Sequence, residues 1–151
     1  PFLVVLDGIT DPQNLGAILR TALCAGVTGV VLPRHRRALV TPAVAKAAAG
    51  AIEHLPLCVV PGVPTALSEL AEHKVWTVGL DAAAAESVFG LRLATEPLAL
   101  VLGSEGRGMG RLTRDRCDLL VQIPMSSQLG SLNVAAAAAI ACFEVTRHRS
   151  G

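Results

Sequence analysis

Leu98 to Val145, LALVLGSEGRGMGRLTRDRCDLLVQIPMSSQLGSLNVAAAAAIACFEV, is the stretch from which fold and site are read. Its opening apolar run, Leu98 to Leu102, stops abruptly at Gly103-Ser104-Glu105-Gly106-Arg107-Gly108-Met109-Gly110. The four glycines there permit backbone torsions that a β-carbon disfavours, so the pattern predicts a strand running into a site-building loop. A second apolar run, Leu119 to Ile123, is stopped by Pro124 and followed by the polar, glycine-containing turn Ser126-Ser127-Gln128-Leu129-Gly130. Two strands are therefore expected to end in two open loops. Ser131 is a good helix N-cap, and Leu132 to Val145 behind it is rich in alanine, the best helix former. The second loop should lead straight into a helix N-terminus, whose free N–H groups suit a polar ligand.

Outward from that stretch, the first two-thirds of the chain alternates strands and helices. Phe2 to Leu6 reads as a strand closed by Asp7-Gly8, and Asp11-Pro12-Gln13-Asn14 supplies turn and capping residues for a helix from about Leu15 to Ala25. In that helix Leu15, Ile18, Leu19, Ala22 and Leu23 fall on one face, with Arg20 and Thr21 off it. Gly26 ends it, and Val27 to Leu32 is the next strand. A β-α-β order implies a parallel sheet with right-handed crossovers. Pro42 to Ala51 is expected as a short helix, Leu55 to Val60 as a third strand, Thr65 to His73 as a helix with Leu67, Leu70 and Ala71 inward, and Val75 to Leu80 as a fourth strand. Residues 82–90 form a connection without a clear pattern. The fold class expected is α/β, a mostly parallel sheet with helices on both faces.

At 151 residues the chain is one domain by length. Hydrophobic residues make up 52% and aromatics 3%, and the mean hydropathy is +0.53, met by Ala, Val and Leu; an apolar face left for a partner subunit would account for part of that excess. The longest nearly apolar run, Leu132 to Phe143, is shorter than the ~20 residues a membrane helix needs. With no signal-peptide pattern, a cytoplasmic protein is expected. The net charge of +1 does not announce a nucleic-acid binder, although 11 of the 13 basic residues are Arg. Arg34, Arg36 and Arg37 cluster after the second strand, at the carboxyl end where open α/β sheets bind ligands. Two readings stand for them: a phosphate-contacting loop, or a solvated arginine loop. Cys24, Cys58, Cys117 and Cys142 are widely spaced, without C-x-x-C or a His at ligand spacing, and are expected to be buried free thiols, with no metal.

Neither G-x-G-x-x-G after the first strand nor G-x-x-x-x-G-K-[ST] before a helix is present, which argues against an ordinary dinucleotide or nucleotide site. Over nearly its whole length the chain resembles the SpoU (TrmH-like) branch of the SPOUT RNA ribose 2'-O-methyltransferases. Three motifs carry the resemblance, in order: Asn14-Leu15-Gly16-Ala17-Ile18-Leu19-Arg20-Thr21-Ala22, Gly103-Ser104-Glu105-Gly106, and Ile123-Pro124-Met125 followed by Ser131-Leu132-Asn133-Val134. The likeness is strongest to members that methylate a guanosine ribose in 23S ribosomal RNA, through DGITDPQNLGA at Asp7 to Ala17, RLTRDRCDLL at Arg111 to Leu120 and the Phe143-Glu144-Val145 ending.

The resemblance implies a deep C-terminal trefoil knot, S-adenosyl-L-methionine as cofactor, RNA as substrate and a homodimer. Carried over residue by residue, the cofactor contacts fall on Gly103, Ile123 and Leu132, with Leu102, Ser104, Met125 and Ser131 beside them. The catalytic set it implies is Arg20, Asn14, Glu105, Ser131 and Asn133, and Arg107 joins Arg34, Arg36 and Arg37 as candidates for contacting RNA. Several alternatives remain beside these roles. Ile123 and Leu132 could be core residues, Arg20 a surface salt bridge, and Glu105 a structural carboxylate that fixes its loop. Ala135 stands where close relatives carry a polar serine, and Gly130 replaces a bulkier residue, which bears on loop stiffness and helix packing. The resemblance also implies an RNA-binding domain ahead of the first motif, so the chain is expected to be the catalytic domain of a longer protein. Two rivals to ribosomal RNA methylation remain: a transfer RNA methylase, and an inert RNA-binding module of the same fold. The intact polar set speaks against the second.

Overall fold

In the computed structural model the described residues are 1–104, 106–127 and 132–150, with 37–39 described by backbone alone. The chain begins β1 (Phe2–Asp7), α1 (Pro12–Cys24), β2 (Gly29–Pro33), a 3-10 turn (Arg34–Leu39) and α2 (Pro42–Ala47). It continues through a 3-10 turn (Ala51–Glu53), β3 (Leu57–Val60), α3 (Val63–Glu72), β4 (Trp76–Leu80) and β5 (Glu86–Ser87). Then come β6 (Leu98–Gly103), α4 (Arg111–Arg116), β7 (Leu119–Gln122) and α5 (Val134–Ser150). Seven strands form one sheet in the order β3-β2-β1-β6-β4-β7-β5, every pairing parallel.

Parallel strands need helices on both faces, and the period-two alternation of side chains assigns each strand residue to one layer. Phe2, Val4 and Leu6 of β1 and Leu98, Leu100 and Leu102 of β6 join the core built with α1, α2 and α5. Their neighbours Val5, Ala99 and Val101 face the other way, into a second core with Val63, Ala66 and Leu67 of α3. Both central strands are thus buried on two sides, which is why they read as unbroken apolar runs. Burying each such Leu or Val side chain contributes roughly 1.5–3 kcal/mol, so the centre of the sheet is a rigid base for the loops at its carboxyl edge.

Helix α1 starts where Asp11 caps it, its side chain accepting from Gln13 N at 2.9 Å, with Pro12 in the first turn. It buries Leu15, Ile18, Leu19 and Ala22 as the spacing predicts and leaves Arg20 exposed.

The structure corrects the sequence reading in several places. Helix α2 stops at Ala47, because Ala49 and Gly50 take positive φ and the chain turns into the 3-10 segment rather than continuing to Ala51. In α3, Ala71 is exposed, and the inward positions are Val63, Ala66 and Leu67. Residues 86–87 of the unassigned connection are a short edge strand on β7. Arg111–Arg116 is a helix the sequence reading left unassigned; Gly110 precedes it, and its start is held by the distant Asp7 rather than by a cap of its own. Helix α5 begins at Val134, not Leu132, and runs past Val145 to Ser150. Cys24 and Cys58 are exposed, and Cys142 is buried, its thiol pushed up to about 12 by that burial. No helix among the described residues is long and apolar enough to cross a membrane. The knot is expected to involve the last segment of the chain, of which residues 128–131 lie outside the described residues.

Candidate active site

The carboxyl ends of β4, β6 and β7 open into one pocket of about 230 Å³. Open α/β sheets place ligands there, because strand ends present backbone groups that no further strand has paired. Leu80, Asp81 and Ala82 line it from β4, and Leu102, Gly103 and Ser104 from β6. Gln122, Ile123 and Met125 come from the end of β7, and Leu132, Val134 and Ala137 from the start of α5. Six of the seven residues carried over as cofactor contacts, Leu102, Gly103, Ser104, Ile123, Met125 and Leu132, therefore meet at one cavity, the seventh, Ser131, lying outside the described residues. Leu132 and Met125 are exposed, whereas Ile123 is half-buried and packs against the first core.

The loop after β6 is shaped by close approach of backbone to backbone. Ser104 N donates to Gly108 O at 3.1 Å and Gly108 N to Ser104 O at 2.8 Å, so the chain doubles back within five residues. A β-carbon on Gly103 would lie 2.1 Å from the carbonyl carbon of Gly108 and 2.2 Å from Met109 N, an overlap no side chain can enter. Gly108, at φ +68°, supplies the left-handed torsion that closes the bend. The loop is tied down at its far end, where Gly110 N donates to Asp7 Oδ2 at 2.9 Å. Asp7 was missed in the sequence; its signal was a carboxylate at the very end of a strand whose register partner is Gly103.

Two of the carried-over polar residues meet across the fold. Asn133 Nδ2 donates to Asn14 Oδ1 at 3.0 Å, joining the start of α5 to the start of α1. Asn133 also caps α5, its Oδ1 accepting from Ala135 N at 2.8 Å and Ala136 N at 3.3 Å. That is the capping position the sequence reading gave to Ser131. Ser131 and Glu105 lie outside the described residues.

Arg20 is not drawn into this cluster. It lies six residues beyond Asn14, about 9 Å along the helix axis, on the exposed face of α1, and lines no part of the pocket. Among the described residues it makes no ion pair. Arg34 and Arg36 sit in the 3-10 turn after β2, away from the pocket, Arg34 exposed and Arg36 with its Nε buried and unbonded among the described residues. Arg37 shares the turn, with its side chain outside the described residues. Arg107 is exposed at the pocket rim.

A charged pair at the pocket wall escaped the sequence reading. Arg114 Nε of α4 lies 3.3 Å from Asp81 Oδ2 at the end of β4. Only the packing of α4 beside the β4 end brings them together; the available signal was a carboxylate immediately after an apolar run.

Residues 1–143 match the model of the SpoU rRNA Methylase family, and they contain every element that builds the pocket. The chain belongs to that family. Among SpoU relatives, the 23S rRNA (guanosine-2'-O-)-methyltransferase RlmB of Yersinia pestis is 48% identical over 149 residues, 99% of this chain and 60% of that protein. The chain thus spans about 60% of the length of that curated relative. The SpoU methyltransferase AviRb from Streptomyces viridochromogenes, solved in complex with AdoMet, superposes with a TM-score of 0.89 at 31% identity, over 99% of this chain and 61% of that one. A structure described as giving insight into 2-OH methylation of C/U34 on tRNA superposes with a TM-score of 0.86 at 28% identity, over 99% of this chain and 97% of that one.

Proposed function

We propose that this SpoU chain is the catalytic domain of an S-adenosylmethionine-dependent RNA ribose 2'-O-methyltransferase whose target is a guanosine of 23S ribosomal RNA. The observation that carries the reading is the convergence of the second and third motifs on one cavity at the carboxyl edge of the sheet, with Asn14 of the first hydrogen-bonded to Asn133 of the third. The cavity suits the adenosyl group: apolar walls from Leu102, Ile123 and Leu132 flank strand-end backbone able to pair with a purine edge. When bound, S-adenosylmethionine supplies an electrophilic methyl on a sulfonium centre.

The chain's own residues have two tasks, to align a ribose hydroxyl in line with the departing sulfur and to ease loss of its proton. RNA alone offers that hydroxyl. A guanidinium is a donor with no acceptor site, so the role of Arg20 is to hold the adjoining phosphate and stabilise the developing alkoxide, not to take the proton. Asn14 and Asn133, fixed by their mutual bond, orient the sugar. Glu105 and Ser131 complete the set. Arg34, Arg36, Arg37 and Arg107 contact RNA phosphates.

The working form we propose is a cytoplasmic homodimer built on α1 and α5. Ala17, Arg20 and Cys24 make an exposed stripe on α1, and Ala136 and Phe143 on α5 are exposed as well. Phe143 is 46% exposed, a large apolar side chain that association would cover. Such a dimer brings the Arg20 face of α1 to the boundary between copies. Sedimentation at micromolar concentration should give a dimer, and Phe143→Asp should shift it toward monomer.

A transfer RNA target is the second reading, favoured by the likeness over 97% of the length of the structure concerned with methylation of C/U34. Mapping ribose methylation across ribosomal and transfer RNA in cells lacking the full-length protein decides between them. Loss of one guanosine mark in 23S RNA is expected. Loss of a tRNA mark alone would move the assignment to tRNA, and no lost mark would favour an inert module.

A further inference from the structure

We infer that the carboxylate of Asp81, held in place by Arg114, takes the ribose hydroxyls of the adenosyl cofactor. The inference rests on the cofactor reading above and adds a residue that none of the three motifs contains. Asp81 follows β4 directly, and its side chain is 17% exposed at the wall of the pocket. One oxygen, Oδ1, accepts from Ala83 N at 2.9 Å, and the other, Oδ2, faces Arg114 Nε at 3.3 Å. A carboxylate has about four acceptor sites, so each oxygen keeps one for a ligand.

Among the described lining residues Asp81 is the only carboxylate; Arg107 and Arg114 are cations, and the remainder are apolar, glycine or neutral polar. A ring bearing two adjacent hydroxyls presents two donors side by side. The two oxygens of one strand-end carboxylate match that pattern, as they do where an acidic side chain reads a ribose in other α/β folds. Leu80 and Leu102, from neighbouring strand ends, give the nucleoside an apolar wall beside this acceptor. Arg114 acts through Asp81 as a positioning residue: its guanidinium fixes the carboxylate rotamer, so that the acceptor is in place before the ligand arrives.

Calorimetry with S-adenosylhomocysteine and its 2'-deoxy and 3'-deoxy adenosyl analogues tests the assignment without recourse to activity. The wild type should bind the deoxy analogues about ten- to a hundredfold more weakly than the parent, the range for losing a hydrogen bond to a charged acceptor. Asp81→Ala should lose a similar factor for the parent and no longer distinguish parent from analogues. Asp81→Asn, which keeps an acceptor for Ala83 N, guards against a folding defect and should retain only part of the discrimination. Arg114→Ala should weaken the parent more than either deoxy analogue, a narrowing of the discrimination that general loosening of the pocket would not produce. Wild-type affinity in Asp81→Ala, or full discrimination in Asp81→Asn, overturns the inference and leaves the cofactor reading standing. A wild type that binds neither S-adenosylhomocysteine nor S-adenosylmethionine at millimolar concentration overturns both.

Discussion

The loop leaving β6 and the turn leaving β2 rise from the same edge of the sheet, two strands apart, and are held by different physics. The first is determined by its backbone: a two-bond bridge between Ser104 and Gly108, a Gly103 with no room for a β-carbon, and a tether from Gly110 to Asp7. The second is a six-residue 3-10 turn carrying Arg34, Arg36 and Arg37, whose proposed contact with RNA would rest on side-chain charge. A cavity wall made of main chain has a fixed shape and tolerates no added atom. An arginine turn works through summed charge, and it degrades gradually as charges are removed.

The widest gap between the two should open with Gly103→Ala. The added carbon must displace the Gly108 backbone, so cofactor affinity should fall beyond detection, at least a hundredfold, when measured by calorimetry on protein whose circular dichroism remains native. Near-normal binding would mean the bend is adaptable and the contrast false.

Next in size, Arg20→Ala separates charge from pocket. Methyl transfer should drop by about a thousandfold, the scale of losing one electrostatic stabiliser of a transition state, while cofactor affinity stays within a factor of two or so. Equal losses of turnover and affinity would instead place Arg20 at the cofactor.

A control remote from both loops lies on α5. Glu144 is buried, accepts two bonds from Arg147 at 2.9 Å each, one from Gly90 N at 2.8 Å, and faces His148 Nε2 at 2.9 Å. The Arg147 guanidinium, with help from Gly90 N–H and His148 and against the effect of burial, holds its carboxyl at about 2. A depressed value means stability present above the unfolded carboxyl range and lost as pH falls from about 4.5 toward 2. Glu144→Gln should lower the melting temperature by several degrees at neutral pH, and the difference from wild type should shrink over that acid window. Cofactor and RNA affinity should not change.

Smallest are the single arginine changes in the β2 turn. Arg34→Ala and Arg36→Ala should each weaken RNA binding a few-fold and reduce the salt dependence of affinity by roughly one released counterion, without altering cofactor affinity. An unchanged salt slope in both would return the turn to the solvated reading.

Where a feature depends on residues a turn or two apart, it is legible in the chain. Alternating and continuous apolar runs marked six of the seven strands, because a strand's side-chain period is local, and the two-residue β5 is too short to show one. Glycine and proline marked where β6 and β7 must stop, and the second and third motifs named part of the pocket's lining before any packing was known. Other features came only from the closing of the two layers. Nothing local to Gly103 says that a β-carbon there would lie 2.1 Å from the Gly108 carbonyl carbon, nor that β4 inserts between β6 and β7 and so delivers Asp81 to Arg114. The bond between Asn14 and Asn133 spans 119 residues, and the cap of α5 moved to Asn133 because the packed start of that helix presents its amides there. Periodicity is a property of neighbours in the chain, whereas an active site joins residues that become neighbours only when apolar faces on both sides of the sheet are buried together.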